Sequence, residues 1–284
     1  MINMCIISGN DRAKKATKLL KHINELKVIG LSAGHSRLSE NMRSPLDDEL
    51  ATSSEAIYFD QYNPSFDLIK KAIQRSNHLF FSSIPSFTES ELKQLINLSA
   101  EAESRTQIFI PQIFSSVNLN QIKRSHSPFL ANIRVALKPE VEEEKTLEHI
   151  LLFLTFLDHS ELRKVETMTI PGQDGYSVIE IRLAFTSGSV ARILLSNQIE
   201  DTNCGIEIFR QGSVVLKFQS ENFEPKQLVE AEKNAVEHFI QSIRKNNSYC
   251  VGLQHLDQAC QILRILKLRI NDNGNFFSEK RQAV

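Results

Sequence analysis

Glycine is scarce in this sequence, with 10 in 284 residues. That is below the ordinary share and leaves few places where backbone can approach a bound ligand closely. Cysteine is also sparse. Cys5, Cys204, Cys250 and Cys260 are scattered and no C-x-x-C occurs, which excludes a disulfide framework or a cysteine metal cluster and predicts reduced, buried thiols. The eight histidines show no H-x-x-x-H, and no carboxylate-rich calcium loop is present, so no metal site is expected. No apolar run approaches the roughly 18 residues that cross a bilayer. The longest, Ile150 to Leu157, is interrupted by Thr155. No basic segment leads into an apolar core at the N-terminus, so the expected location is cytoplasmic. The formal net charge of −1 supplies no basic field for nucleic acid or for acidic membranes. No G-x-S-x-G nucleophile motif occurs, and no serine or cysteine is matched by sequence to a histidine and an aspartate.

What is present is an ordinary globular balance, 41% hydrophobic and 24% charged, in a chain long enough for one large or two ordinary domains. The first 112 residues alternate short apolar strands with amphipathic helices. Strands are predicted at Met4–Ser8, Val28–Ser32, Ala56–Asp60, Leu79–Ser83 and Gln107–Pro111. Helices are marked by Leu19, Leu20, Ile23 and Leu26, by Phe66, Ile69 and Ile73, and by Leu92, Leu95, Ile96 and Ala102. Thr88 and Glu91 form a capping-box pair at the head of the last of these. This alternation implies a parallel sheet covered on both faces.

The second half changes character. A strand at Asn132–Leu137 and a helix at Leu147–Leu157, apolar nearly all round, precede two hairpins, Val178–Phe185 with Val190–Leu195 and Gly205–Phe209 with Val214–Phe218. Strands without intervening helices predict antiparallel pairing. Two helices follow, one carrying Val236, Phe239, Ile240 and Ile243 and the other Leu256 through Ile270. The expected class is α/β: a Rossmann-like parallel sheet over residues 1–115, an α+β domain with an open antiparallel sheet over 116–270, and a polar tail over 271–284.

The first strand leads into Gly9, Asn10, Asp11 and Arg12 and then a helix. A strand, a tight turn and a helix are how a dinucleotide-binding domain begins. Such a turn carries G-x-G-x-x-G because side chains would block the pyrophosphate. Here Gly9 alone remains of that pattern. Asn10 and Asp11 can cap the helix, and Arg12 can aid an anion at the helix N-terminus, yet Asp11 places a negative charge there.

The order of domains and three local segments carry a resemblance. Ser83-Ile84-Pro85-Ser86-Phe87-Thr88 follows the fourth strand and opens a helix, Tyr62-Asn63-Pro64 follows the third strand, and Glu237-His238-Phe239-Ile240-Gln241-Ser242-Ile243 precedes the helical segment Gly252–Leu268. In this arrangement the chain resembles the glucose–fructose oxidoreductase, inositol dehydrogenase and MocA (Gfo/Idh/MocA) family over most of its length. The family reads Glu-Lys-Pro where this chain has Ser83-Ile84-Pro85, and its lysine is implied in proton transfer. Ile84 can neither titrate nor donate a hydrogen bond. The family's Asp-x-x-x-His helix corresponds to the stretch ending at Glu148-His149, without the glycines or the aspartate. The ribose-reading position after the second strand holds Ser32 and Ala33, with His35 and Arg37 beyond.

His149 therefore has two readings, a histidine held by a neighbour at the edge of a buried helix or an acid/base catalyst. The resemblance implies a degenerate member that works by binding or assembly, with no cofactor expected. The alternative is a divergent NAD(P)-dependent oxidoreductase acting on a sugar or polyol-like substrate. In that case the resemblance places Gly9, Asn10, Arg12, Ser32, Tyr62, Pro64 and Pro85 at the cofactor. In either case a homo-oligomer is expected through the sheet of residues 178–218. There, Ile179, Ile181, Leu183 and Phe185 should face the domain's own helices while part of the other face stays apolar. A small-molecule ligand fits both readings; a nucleic-acid or membrane partner fits neither.

Overall fold

The structure, a computed structural model, describes residues 1–8, 13–33, 53–60, 63–114, 127–136, 143–171, 177–196, 204–211, 213–219, 225–245 and 250–273. Its first sheet is built from β1 (Ile2–Ser8), β2 (Leu26–Ala33), β3 (Ala56–Asp60), β4 (His78–Phe81) and β5 (Thr106–Ile108). The strands lie in the order β2-β1-β3-β4-β5, and every pairing is parallel. Helices α1 (Ala13–Leu20), α2 (Phe66–Gln74) and α3 (Glu89–Glu101) connect them, and the single turn α4 (Pro111–Phe114) follows β5. The apolar run of β3 is buried at all five positions, as expected of a central parallel strand. The capping box forms as read: Thr88 accepts from the Glu91 backbone, and the Glu91 carboxylate accepts from Thr88 N–H at 2.8 Å and from its hydroxyl at 2.7 Å.

The second sheet contains β6 (Phe129–Ala136), β7 (Leu162–Pro171), β8 (Ser177–Phe185), β9 (Val190–Ser196), β10 (Gly205–Arg210) and β11 (Ser213–Gln219). Its order is β11-β10-β6-β9-β8-β7. Helix α5 (Glu143–Leu157) lies between β6 and β7 in the chain and buries Leu147, Leu151, Leu152, Phe153 and Leu154. Two features depart from the sequence reading. The sheet is mixed, because β6 and β9 pair in parallel. They are not chain neighbours: α5 and two strands intervene and bring β9 beside β6 running the same way. Strand β7 was not expected; it is an edge strand with charges at Arg163, Lys164 and Glu166 and, among the described residues, pairs only with β8. The predicted alternation holds in β8, where Ile179, Ile181, Leu183 and Phe185 are fully buried.

Helices α6 (Pro225–Lys245) and α7 (Leu253–Asn273) complete the chain. Two compact units result, Met1–Pro111 with Val229–Asp257, and Gln112–Leu228 with Gln258–Val284. The expected division near residue 115 thus falls at Pro111, and Val229–Asp257 returns to the first unit. The reason is packing. Phe80 stands 5.7 Å from Phe239, Gln107 Nε2 donates to the Ala235 carbonyl at 2.8 Å, and Ile108 N–H donates to Val251 at 2.7 Å.

Candidate functional site

In an open parallel sheet, ligands bind outside the carboxyl ends of the strands where the strand order reverses. Here that point lies between β1 and β3. The residues at its edge are Ser8 and Asp60, the last of each strand, which are direct partners in the ladder. Ser8 Oγ donates to Asp60 Oδ2 at 2.9 Å, and Ser82, just past β4, donates to Oδ1 at 3.5 Å. Asp60 is only 5% exposed. A second polar contact lies deeper on β3, where Tyr58 OH donates to Glu232 Oε1 of α6 at 2.5 Å. Burial and the Glu232 carboxylate push the Tyr58 phenol well above its ordinary range. Asp60 was not singled out by the sequence reading. Its signal is a lone carboxylate closing an otherwise apolar strand.

The two resemblance segments next to this crevice meet: the Asn63 side chain accepts from Ser86 N–H at 3.0 Å. Pro64 and Pro85 are buried and Ile84 is half-buried between Ser83 and Pro85. Ile84 thus stands at the crevice end of β4 with an aliphatic side chain. Ser32 pairs through its backbone with Ile7. Gly9, Asn10, Asp11, Arg12, His35, Arg37 and Tyr62 lie outside the described residues.

His149 belongs to the second unit. Its Nδ1 lies 2.7 Å from the Lys145 carbonyl one helical turn back. A carbonyl only accepts, so Nδ1 carries the proton and Nε2 is left as an acceptor. Burial lowers the His149 pKa, against the opposing effect of the Lys145 carbonyl. The ring lines a cleft of about 320 Å³ with Lys145, Thr146, Gln112 and Cys204. A neutral imidazole with a basic Nε2 at a cleft can take a proton from a hydroxyl. Neighbouring Glu148 is raised by burial and by Glu144.

No helix among the described residues is long and apolar enough to cross a membrane. No group of three or more histidines, cysteines or carboxylates among them could hold a metal ion.

Among solved structures, the chain is similar to UDP-N-acetylglucosamine 3-dehydrogenase GnnA from Acidithiobacillus ferrooxidans, with TM-score 0.69 and 14% identity over 94% of this chain and 97% of that one. It is similar to a myo-inositol dehydrogenase from Corynebacterium glutamicum, with TM-score 0.70 and 11% identity over 96% and 98%. A third is the dehydrogenase MviM from Clostridium difficile, with TM-score 0.64 and 15% identity over 95% and 99%. The chain has the Gfo/Idh/MocA dehydrogenase fold. At these identities the likeness concerns architecture, and function has to be argued from the site. No family model matches the sequence, and no curated protein matches it.

Proposed function

We propose that this chain uses the dehydrogenase fold for binding or assembly and does not transfer hydride. The observation that carries the reading is Ile84. Where the resemblance calls for a lysine, the crevice end of β4 presents a half-buried alkyl group, which supplies no proton and no hydrogen bond. The buried Asp60 carboxylate at the end of β3 supports the reading, because it opposes a diphosphate brought beside it. Titration with NADH and NADPH tests this. A tight site would stabilise the fold by about 2.7 kcal/mol at a hundredfold excess over Kd, or roughly 5–10 °C in Tm. No shift and no turnover with a panel of sugars and polyols is the expected outcome; a clear shift with turnover overturns the reading.

The assembly partner is a second copy of the chain, and the cytoplasm is the proposed location. The outer face of the second sheet leaves Leu130, Met168, Ile170 and Val214 between 44% and 54% exposed. Across the same face run Arg192 with Glu180 at 2.8 Å and Lys217 with Glu207 at 3.5 Å. Interspersed charges of both signs suit a two-fold contact, in which each patch meets its own copy. Light scattering at micromolar concentration should give a multiple of 32.3 kDa; a monodisperse monomer refutes this part.

His149 favours a second reading, a divergent NAD(P)-dependent oxidoreductase of sugar or polyol-like substrates, since its Nε2 is poised as a base at a cleft. Under that reading, His149→Ala lowers turnover by about 10² or more. Dehydrogenase activity untouched by the change excludes His149 from the role.

A further inference from the structure

We infer that the groove where β4 and β5 begin binds a small organic anion, its carboxylate or phosphate head held by Arg105, His78 and His255. This goes beyond the reading above and does not depend on it, because the groove lies at the opposite end of the strands from Ser8 and Asp60. His78 opens β4 and Thr106 opens β5. Both line a groove of about 670 Å³, together with Ser99 of α3, Ile243 in the last turn of α6 and His255 in the first turn of α7. That volume lies in the range of small-molecule sites. The lining residues all fall in Met1–Pro111 or Val229–Asp257, so one compact unit builds the groove.

Donors dominate the polar lining. The Arg105 N–H donates to His78 Nδ1 at 3.0 Å, and the Gly252 N–H donates to His255 Nδ1 at 3.1 Å. A ring nitrogen that accepts carries no proton, so each neutral imidazole holds its proton on Nε2 and offers a donor there. Burial and the nearby Arg105 lower the His78 pKa, against the opposing effect of Glu55, which keeps that ring neutral at pH 7. Arg105 adds a permanently charged guanidinium, whose fork matches the oxygens of a carboxylate or a phosphate. Among the described residues the lining has one carboxylate, Glu103, and it is exposed, where water screens it. The Ser99 hydroxyl is buried with no hydrogen-bond partner among the described residues. A buried hydroxyl costs stability until something pairs with it, and in this groove a ligand oxygen can. Ile96, Ile243 and Leu253 supply apolar lining, which suits the body of an organic anion better than a bare inorganic ion.

The test titrates phenyl phosphate, benzoate and benzyl alcohol, which share a ring and differ in the head, into the full chain by calorimetry. At least one anion should bind, and benzyl alcohol should bind about tenfold or more weakly than it does. The tighter of the two anions identifies the head. Arg105→Gln removes the charge and should weaken that anion by about tenfold or more. His255→Asn keeps an acceptor for the Gly252 N–H but loses the Nε2 donor, and should also weaken it. Ser99→Ala should leave Tm unchanged or raised, since it removes an unsatisfied hydroxyl, yet reduce anion affinity several-fold. Failure of both anions to bind overturns the inference, as does benzyl alcohol binding equally well. Unchanged anion affinity in Arg105→Gln overturns it too; if that variant does not fold, His255→Asn decides in the same way. Turnover with NADH or NADPH would sink the proposed function and leave this site standing.

Discussion

Removing the Tyr58 hydroxyl tests how α6 is fastened to the parallel sheet. Tyr58 is 1% exposed, its ring stacks on Phe80 at 5.1 Å, and its hydroxyl donates to Glu232 at 2.5 Å. In Tyr58→Phe the ring keeps its stacking, so only the hydroxyl's contacts with Glu232 and Ser82 are lost. A hydrogen bond to a charged group contributes about 1.5–3 kcal/mol net. Glu232 is half-buried and can recover part of that from water, which puts the cost near the lower bound, about 1.5 kcal/mol. Glu232→Leu should cost more, about 2–3 kcal/mol, because it strips a buried phenol of its acceptor. The double variant should cost less than the sum, with a coupling of about 1 kcal/mol or more. Urea denaturation followed by far-UV circular dichroism measures all three. The phenol pKa is raised in the folded state, so its contribution is complete below about pH 10, the unfolded value, and is lost as pH rises through the folded one. Wild-type stability should therefore fall more steeply than that of Tyr58→Phe in alkaline solution. A coupling below about 0.5 kcal/mol, or identical alkaline slopes, would refute the reasoning.

Three other outcomes are expected. Asp158 accepts from Ser160 N–H at 2.9 Å and from the Ser187 hydroxyl. Burial raises its pKa, but hydrogen bonds from Ser187, Ser189 and Ser160 outweigh that and lower it. Its contribution is present above the unfolded value near pH 3.9 and is lost as pH falls through the folded one. Asp158→Ala should cost about 1 kcal/mol at neutral pH, since the carboxylate reaches water, and should flatten the acid limb of the stability curve. The His149 ring should titrate below its ordinary 6.5 by NMR, and its preference for the neutral form should weaken the fold as pH drops under that value; a normal or raised titration contradicts the burial of the ring. Gly188 has φ +94°. Gly188→Ala should lower stability by about 1 kcal/mol through the backbone alone, because the new Cβ would meet Pro128 Cγ at an ordinary 3.5 Å; an unchanged Tm would contradict this.

Much of the fold was legible in local pattern. Ala56–Asp60 reads as a strand residue for residue because a central parallel strand is apolar on both faces. The head of α3 was fixed by the Thr88–Glu91 pair, which acts within four residues. What failed needed long-range knowledge. Strand β7 carries charge because its edge faces solvent, so its composition mimics a loop. The parallel pairing of β6 with β9 depends on the crossover through α5, which no periodicity reports. The expected first helix ran to Leu26, yet the chain turns at Glu25 with φ 74° and Leu26 opens β2. At the site, Ile84 stood out through resemblance. Asp60 did not, since a carboxylate at a strand end gains meaning only once Ser8 and Ser82 are placed beside it.

The first unit is discontinuous in sequence, closing only when Val229–Asp257 joins Met1–Pro111. A ribosome builds the chain from its N-terminus, so the strands of the parallel sheet emerge long before the helix that supplies Phe239 and the Ala235 carbonyl. Until then Phe80 lacks its Phe239 neighbour and Gln107 its Ala235 acceptor. The nascent chain must carry an incomplete sheet through the synthesis of more than a hundred intervening residues, and at about 5–20 residues per second that exposure lasts several seconds or longer. That delay is set by the order of the segments, and a rearranged gene encoding Val229–Asp257 next to Pro111 would shorten it.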